Sequence, residues 1–224
     1  MKSNSKENSR RDAEALSAET KPSIAEKFPR LRPSARENWK RVKLGEVCEI
    51  TMGQSPESST YNTEKRGLPF FQGNADFGVY VPTPKVWCSA PKKIASPEAI
   101  LISVRAPIGA MNFSNQTCCI GRGLASIFAR SSSCYKRYIW YAVKSRSNLL
   151  ISQGTGSTFK AINKEVLTSL EIPLPPLEEQ RRIAGTLDKV RELIDLRERE
   201  LAKFDELVKC RFCARFFQIW RIAA

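Results

Sequence analysis

The chain has 224 residues, a formal net charge of +14, 42% hydrophobic and 27% charged residues, and no histidine. This composition suits a packed soluble core of one ordinary domain plus extensions, and it excludes Ser-His-Asp and Cys-His catalysis. No apolar stretch approaches the ~20 residues of a membrane-spanning helix. The opening "MKSNSKENSRRDAEALSAET" lacks the apolar segment of a secretory signal, so a cytoplasmic location is expected.

Residues 1–38 are polar, with Pro22, Pro29 and Pro33, and read as a flexible charged tail. Ordered structure is expected from "WKRVKLGEVCEITMG" (39–53) onward. "LPFFQGN" (68–74) reads as a strand running into a turn. "AILISVRAPIGAMNF" (99–113) reads as a hairpin-like pair around Ala106-Pro107. "CCIGRGLASIFAR" (118–130) reads as another strand pair broken at Gly121 and Gly123. The pattern becomes helical in 132–152, where Tyr135, Tyr138, Ile139, Ala142 and Val143 share a face and Ser132 or Ser133 can cap the start. A Gly/Ser/Thr loop, a short helix capped near Asn163 and a last strand complete 154–175. The fold class expected is a mixed, sheet-rich α/β domain over 39–175, then a long coiled-coil helix over 176–217 and a short tail over 218–224.

The helix has a clear start signal. Pro175 and Pro176 fit its cap and first turn, and Glu178 and Glu179 complement the positive end of its dipole. Ile183, Leu187, Val190, Ile194, Leu201, Phe204 and Val208 then step by four and three, interrupted by Arg197, with Leu193, Leu196 and Leu207 alongside. That is a heptad seam. A helix of ~40 residues spans roughly 60 Å, too long to bury its seam on so small a domain. The seam calls for a second helix, and folding back along its own domain is the alternative.

The seven cysteines (48, 88, 118, 119, 134, 210, 213) form no disulfide framework and read as reduced thiols. "CRFC" (210–213) has metal-ligand spacing but no second pair or histidines to complete a zinc site. Metal ligands, catalytic residues and a bound cofactor are therefore not expected. Neither a GxxxxGK[ST] phosphate loop nor an Asn/Asp-Pro-Pro-aromatic tetrapeptide occurs.

The charge is unevenly spread. Residues 1–38 hold nine basic and six acidic side chains, 177–224 eleven and nine, and the middle seventeen and eight. A basic globular part suggests phosphate-bearing partners. "GTGSTFK" (154–160) can aim N–H groups, the hydroxyls of Ser157 and Thr158 and the ammonium of Lys160 at a phosphate; a tight turn is the alternative. "VRAPIG" (104–109) and "GRG" (121–123) place Arg105 and Arg122 beside strands, where guanidinium groups reach phosphates or base edges; surface ion pairs are the alternative. Gln72 has an amide that can pair bidentately with adenine, whereas Asn74 reads as a turn former. Lys136, Arg137 and Lys144, with Tyr138 and Trp140, read either as a backbone-contacting helix or as a solvated face.

These blocks, with "GTGSTFKAINKEVLTSLEIPLPPLEEQRRIAGTLDKV" and "LVKCRFCARFF", resemble in order and spacing the DNA specificity (S) subunits of type I restriction–modification systems. The resemblance covers roughly 39–217, and "IPLPPLEEQRRIA" is its most specific part. It implies a non-catalytic subunit in which 39–173 is a target recognition domain reading one half of a split DNA site, and the helix is a spacer. Full-length subunits carry two such units in tandem, their helices paired antiparallel. Double-stranded DNA, a modification subunit with S-adenosylmethionine and adenine N6 chemistry, and a restriction subunit using ATP and magnesium are the implied partners. This chain holds one unit only and resembles a half-subunit. A second copy, or another S chain, then becomes the expected partner of the seam, and a twofold pair would read a palindromic bipartite site. A truncated or non-specific DNA-binding coiled-coil adaptor is the alternative.

Overall fold

A computed structural model describes residues 39–130, 133–155 and 160–223, with side chains from 211 onward left out of account. Strand β1 (Arg41–Lys43) leads into a helical turn, α1 (Leu44–Val47), and strand β2 (Cys48–Met52). Seven further strands follow in turn: β3 (Tyr61–Asn62), β4 (Leu68–Phe71), β5 (Val86–Cys88), β6 (Ile94–Ala95), β7 (Ile100–Ser103), β8 (Met111–Phe113) and β9 (Cys118–Ile120). β10 (Leu124–Ala129), α2 (Lys136–Lys144), α3 (Ser147–Ser152), α4 (Lys164–Thr168), β11 (Glu171–Pro173) and the long α5 (Leu177–Ala223) complete the chain.

The strands form three sheets. β1 pairs with β11, the order β2-β10-β7-β8 is antiparallel throughout, and the order β3-β5-β4-β9-β6 contains one parallel pair, β4 with β9. The main core lies where β7 and β10 meet α2. Ile100, Ile102, Ile127, Ile139, Val143, Leu150, Leu167 and Ile172 are all essentially inaccessible there. Such side chains each contribute about 1.5–3 kcal/mol by leaving water, and this fixes the sheet against the helices. A smaller cluster (Phe71, Leu101, Cys118, Ile120, Leu124) joins the two larger sheets.

The expected hairpin over 99–113 is present as β7–β8, with Ile102 opposite Met111. The strand pair expected over 118–130 is divided: β9 pairs with β4 and β6, whereas β10 pairs with β2 and β7. The "GRG" turn is where the chain passes from one sheet to the other. Asn163 caps α4, its side chain accepting from the Val166 N–H at 3.0 Å. The N-cap of α2 is Tyr135, without a side-chain cap, two residues after Ser133; Ser132 lies outside the described residues. The first seam residue, Ile183, packs against the main core of its own domain, whereas the rest of the seam does not fold back. Leu187, Val190, Ile194, Leu201, Phe204 and Val208 are between 37% and 67% exposed. No helix among the described residues is long and apolar enough to cross a membrane.

Candidate nucleic-acid interface

Backbone hydrogen bonds lace the ends of several strands into one edge. Gly121 N–H donates to the Phe71 carbonyl at 2.8 Å and Gly123 N–H to the Gln72 carbonyl at 3.1 Å. Val104 N–H donates to the Gly123 carbonyl at 3.0 Å, and Ile162 N–H to the Val104 carbonyl at 2.9 Å. Arg105 bridges Ala161, and Ala161 in turn exchanges both backbone hydrogen bonds with Thr155. Arg122 N–H reaches Ser55 Oγ at 3.3 Å. Gln72, Arg122, Arg105 and Lys160, which lie far apart in sequence, therefore sit on adjoining backbone segments.

Glycine makes this approach possible. A Cβ at Gly123 would stand 2.4 Å from the Gln72 carbonyl oxygen, and one at Gly121 would stand 2.9 Å from Gln72 Cα. Real Cβ atoms do not come that close to backbone, so any other residue would push these segments apart.

All four side chains are exposed. Among the described residues, Arg105, Arg122 and Lys160 take part in no ion pair, whereas Lys85, Arg130, Lys136, Arg137, Arg182 and Arg197 each face a carboxylate. Unneutralised cations on one edge produce a positive potential that attracts phosphate. Ser157 and Thr158 lie outside the described residues.

The aromatic residues named with the basic side chains of α2 do not face solvent. Tyr138 and Trp140 are only 4% and 6% exposed and pack in the core. Arg137 Nη1 binds Asp188 Oδ1 at 2.7 Å, and Lys136 binds Glu98. Burial pushes the Tyr138 phenol up to about 12.

Sequence reasoning missed the joint between this domain and α5. Gln180 is fully buried: its Nε2 donates to the carbonyls of Ser133 and Pro175, and its Oε1 accepts from Tyr135 N–H, each at 2.8 Å. Further along α5, Asp188 accepts from Tyr141 Oη at 2.8 Å as well as from Arg137, and Asp195 accepts from Tyr80 Oη at 2.9 Å. Burial, reinforced by Asp188, raises the Tyr141 phenol, and burial with Asp195 does the same for Tyr80. The signal was available. Asp188, Arg191 and Asp195 repeat at intervals of three and four, which puts a charged row on one helix face.

A family model for the type I restriction modification DNA specificity domain matches residues 36–204. The chain belongs to this family. A Methanocaldococcus jannaschii chain named as a type I restriction enzyme specificity subunit is 42% identical over 175 residues, covering 77% of this chain and 41% of that relative. A chain from a solved structure on complex assembly and conformational transition of the type I R-M system superposes with a TM-score of 0.72 at 46% identity, covering 91% of this chain and 50% of that one. The HsdS subunit from Thermoanaerobacter tengcongensis gives 0.65 at 46% identity, covering 84% and 46%. This specificity chain spans about half the length, or less, of these relatives. Specificity subunits of type I systems are DNA-recognition subunits without catalysis of their own. The sheet-rich domain followed by a long helix is the architecture that the HsdS structures share with it.

Proposed function

We propose that this chain is one reading unit of a type I restriction–modification specificity subunit, working in the cytoplasm on double-stranded DNA. The recognition domain, 39–175, reads one half of a bipartite site. The helix from 176 pairs along its seam with a second unit, either another copy or another S chain. Modification and restriction subunits dock on the resulting pair, and the S-adenosylmethionine, ATP and magnesium belong to them. The observation that carries the reading is the laced edge, where Gln72, Arg105, Arg122 and Lys160 are exposed on adjoining backbone segments, the three cations in no ion pair among the described residues. Arginine and lysine there would hold phosphates or guanine edges, and Gln72 would read an adenine edge. Ser157 and Thr158 would add phosphate contacts from the adjoining loop.

The test is co-expression with a type I modification subunit from the same host, followed by mapping of adenine methylation. The expected result is a motif split by a fixed unspecified gap, palindromic if two copies pair and asymmetric if another S chain supplies the second half. Absence of methylation, with soluble and associated proteins, would leave a coiled-coil adaptor as the better reading. At residue level, Lys160→Glu is expected to weaken binding to all sequences alike and to reduce the slope of log affinity against log salt by about 1. An unchanged slope removes Lys160 from the interface.

A further inference from the structure

α5 meets its domain along one face, through two kinds of contact. The first is the buried Gln180 with Ala184 beside it, at the root of the helix. The second lies two to four turns further on. There Arg191 is held between two rings, its guanidinium carbon 4.9 Å from the centroids of both Tyr80 and Trp140. Asp188 takes its two charge-assisted or phenolic bonds from Arg137 and Tyr141, and Asp195 takes one from Tyr80.

The domain side of this second contact is itself tied down by hydrogen bonds. Phe113 N–H donates to the Tyr80 carbonyl at 2.8 Å. The buried Asn112 exchanges two side-chain bonds with the backbone of Gly78, each at 3.0 Å, so the loop carrying Tyr80 is pinned to β8. Trp140 stacks near Phe113 and meets Tyr141 edge-on. These contacts are directional, unlike plain apolar burial. The row Asp188, Arg191 and Asp195 lies on the order of 100° around the helix from the row Leu187, Val190 and Ile194, at 3.6 residues per turn. The clasp therefore leaves the seam free.

Two anchors on a rod fix its direction, whereas one allows it to pivot. A pivot of about 10° at Gln180 would move a point ~40 Å along the helix by ~7 Å, about two base-pair steps of ~3.4 Å. We propose that the Tyr80–Arg191–Trp140 and Arg137–Asp188–Tyr141 clasp sets the gap length that the paired units accept between half-sites. Asp188 is its central positioning residue, and it acts on spacing rather than on base identity. This inference rests on the reading that two units pair through α5.

The test compares the wild-type chain with Asp188→Ala, and with the milder Tyr141→Phe should the first variant fold poorly. Co-expressed with the modification subunit, each is assayed on DNA libraries with random half-sites and variable gaps. The clasp variants are expected to select the same half-site sequences, but to lose about tenfold of the discrimination against gaps one base pair longer or shorter. An unchanged gap profile in both variants overturns the proposal. In parallel, spin labels at Ser59→Cys and Glu206→Cys in a Cys210→Ser, Cys213→Ser background, diluted with unlabelled chain, report the domain-to-helix distance. A distribution that broadens in the variants is expected, and one that does not overturns the proposal even if no split motif is found. A wild type that selects no split motif, while the labels respond to Asp188→Ala, counts against the pairing of two units and not against the clasp as the device that holds the helix.

Discussion

Replacement of Gln180 tests the root of the helix most directly. Its side chain makes three hydrogen bonds of 2.8 Å in a site closed to solvent, joining α5 to the Ser133–Tyr135 entry of α2 and to Pro175. Gln180→Ala removes all three and strands one N–H and two carbonyls. At about 1 kcal/mol per bond, and more for each group left dry, the expected loss is about 3 kcal/mol. For a domain of this size that corresponds to roughly 6–12 °C in Tm. Gln180→Glu should be worse near neutral pH, because it turns a carboxylate oxygen toward the two carbonyls. Burial and those carbonyls disfavour its charged form, so its folded pKa is raised above the ordinary ~4.3 of glutamate. The stabilising, protonated form is fully present below the unfolded value and is lost as pH rises through the folded one, so Gln180→Glu should regain stability on acidification relative to Gln180→Ala. Urea and thermal unfolding across pH 4–8 measure both effects. A loss under about 1 kcal/mol in Gln180→Ala, or no convergence of the two variants in acid, refutes the reasoning.

Gly123→Ala should force the Gln72 segment away from its neighbour and weaken DNA binding more than any single charge removal, with a lowered Tm; binding and melting curves of the variant decide this. Cys48, Cys88, Cys118, Cys119 and Cys134 are buried, and burial pushes the thiols of Cys48 and Cys119 up to about 12 and about 11. At pH 8 a thiol reagent should therefore modify Cys210 rapidly and these five only on unfolding, as read by mass spectrometry. Leu201→Asp places a charge in the exposed seam and should shift the chain toward monomer in analytical ultracentrifugation while leaving the recognition domain folded by circular dichroism, because this side chain is 63% exposed in its own chain.

Most of the chain's local structure was legible in its order of residues. The hairpin over 99–113, the Asn163 cap and the proline-marked start of α5 depend on neighbours within a few positions, where backbone sterics and short-range hydrogen bonds decide. The exposed apolar row along α5 was legible for the same reason, since a heptad is a local repeat. The separation of β9 and β10 into different sheets was not. Two short apolar strands joined by "GRG" look like a pair, and only the close packing of Gly121 and Gly123 on Gln72 shows why the chain crosses over instead.

The sequence by itself determined that the chain would be a basic, sheet-rich domain with a long seamed helix, and its blocks were specific enough to indicate the family. Those are properties of composition, period and order. The tertiary structure alone decided which charges are spent and which are free. Arg137 and Arg191 look like surface cations in sequence, yet one binds Asp188 and the other lies between two aromatic rings. Arg105, Arg122 and Lys160 look no different, yet their backbone segments come to one edge and they take part in no ion pair among the described residues. A side chain's charge is local, but the partner that neutralises it arrives from anywhere in the chain, and only the packing of the core says which partner arrives.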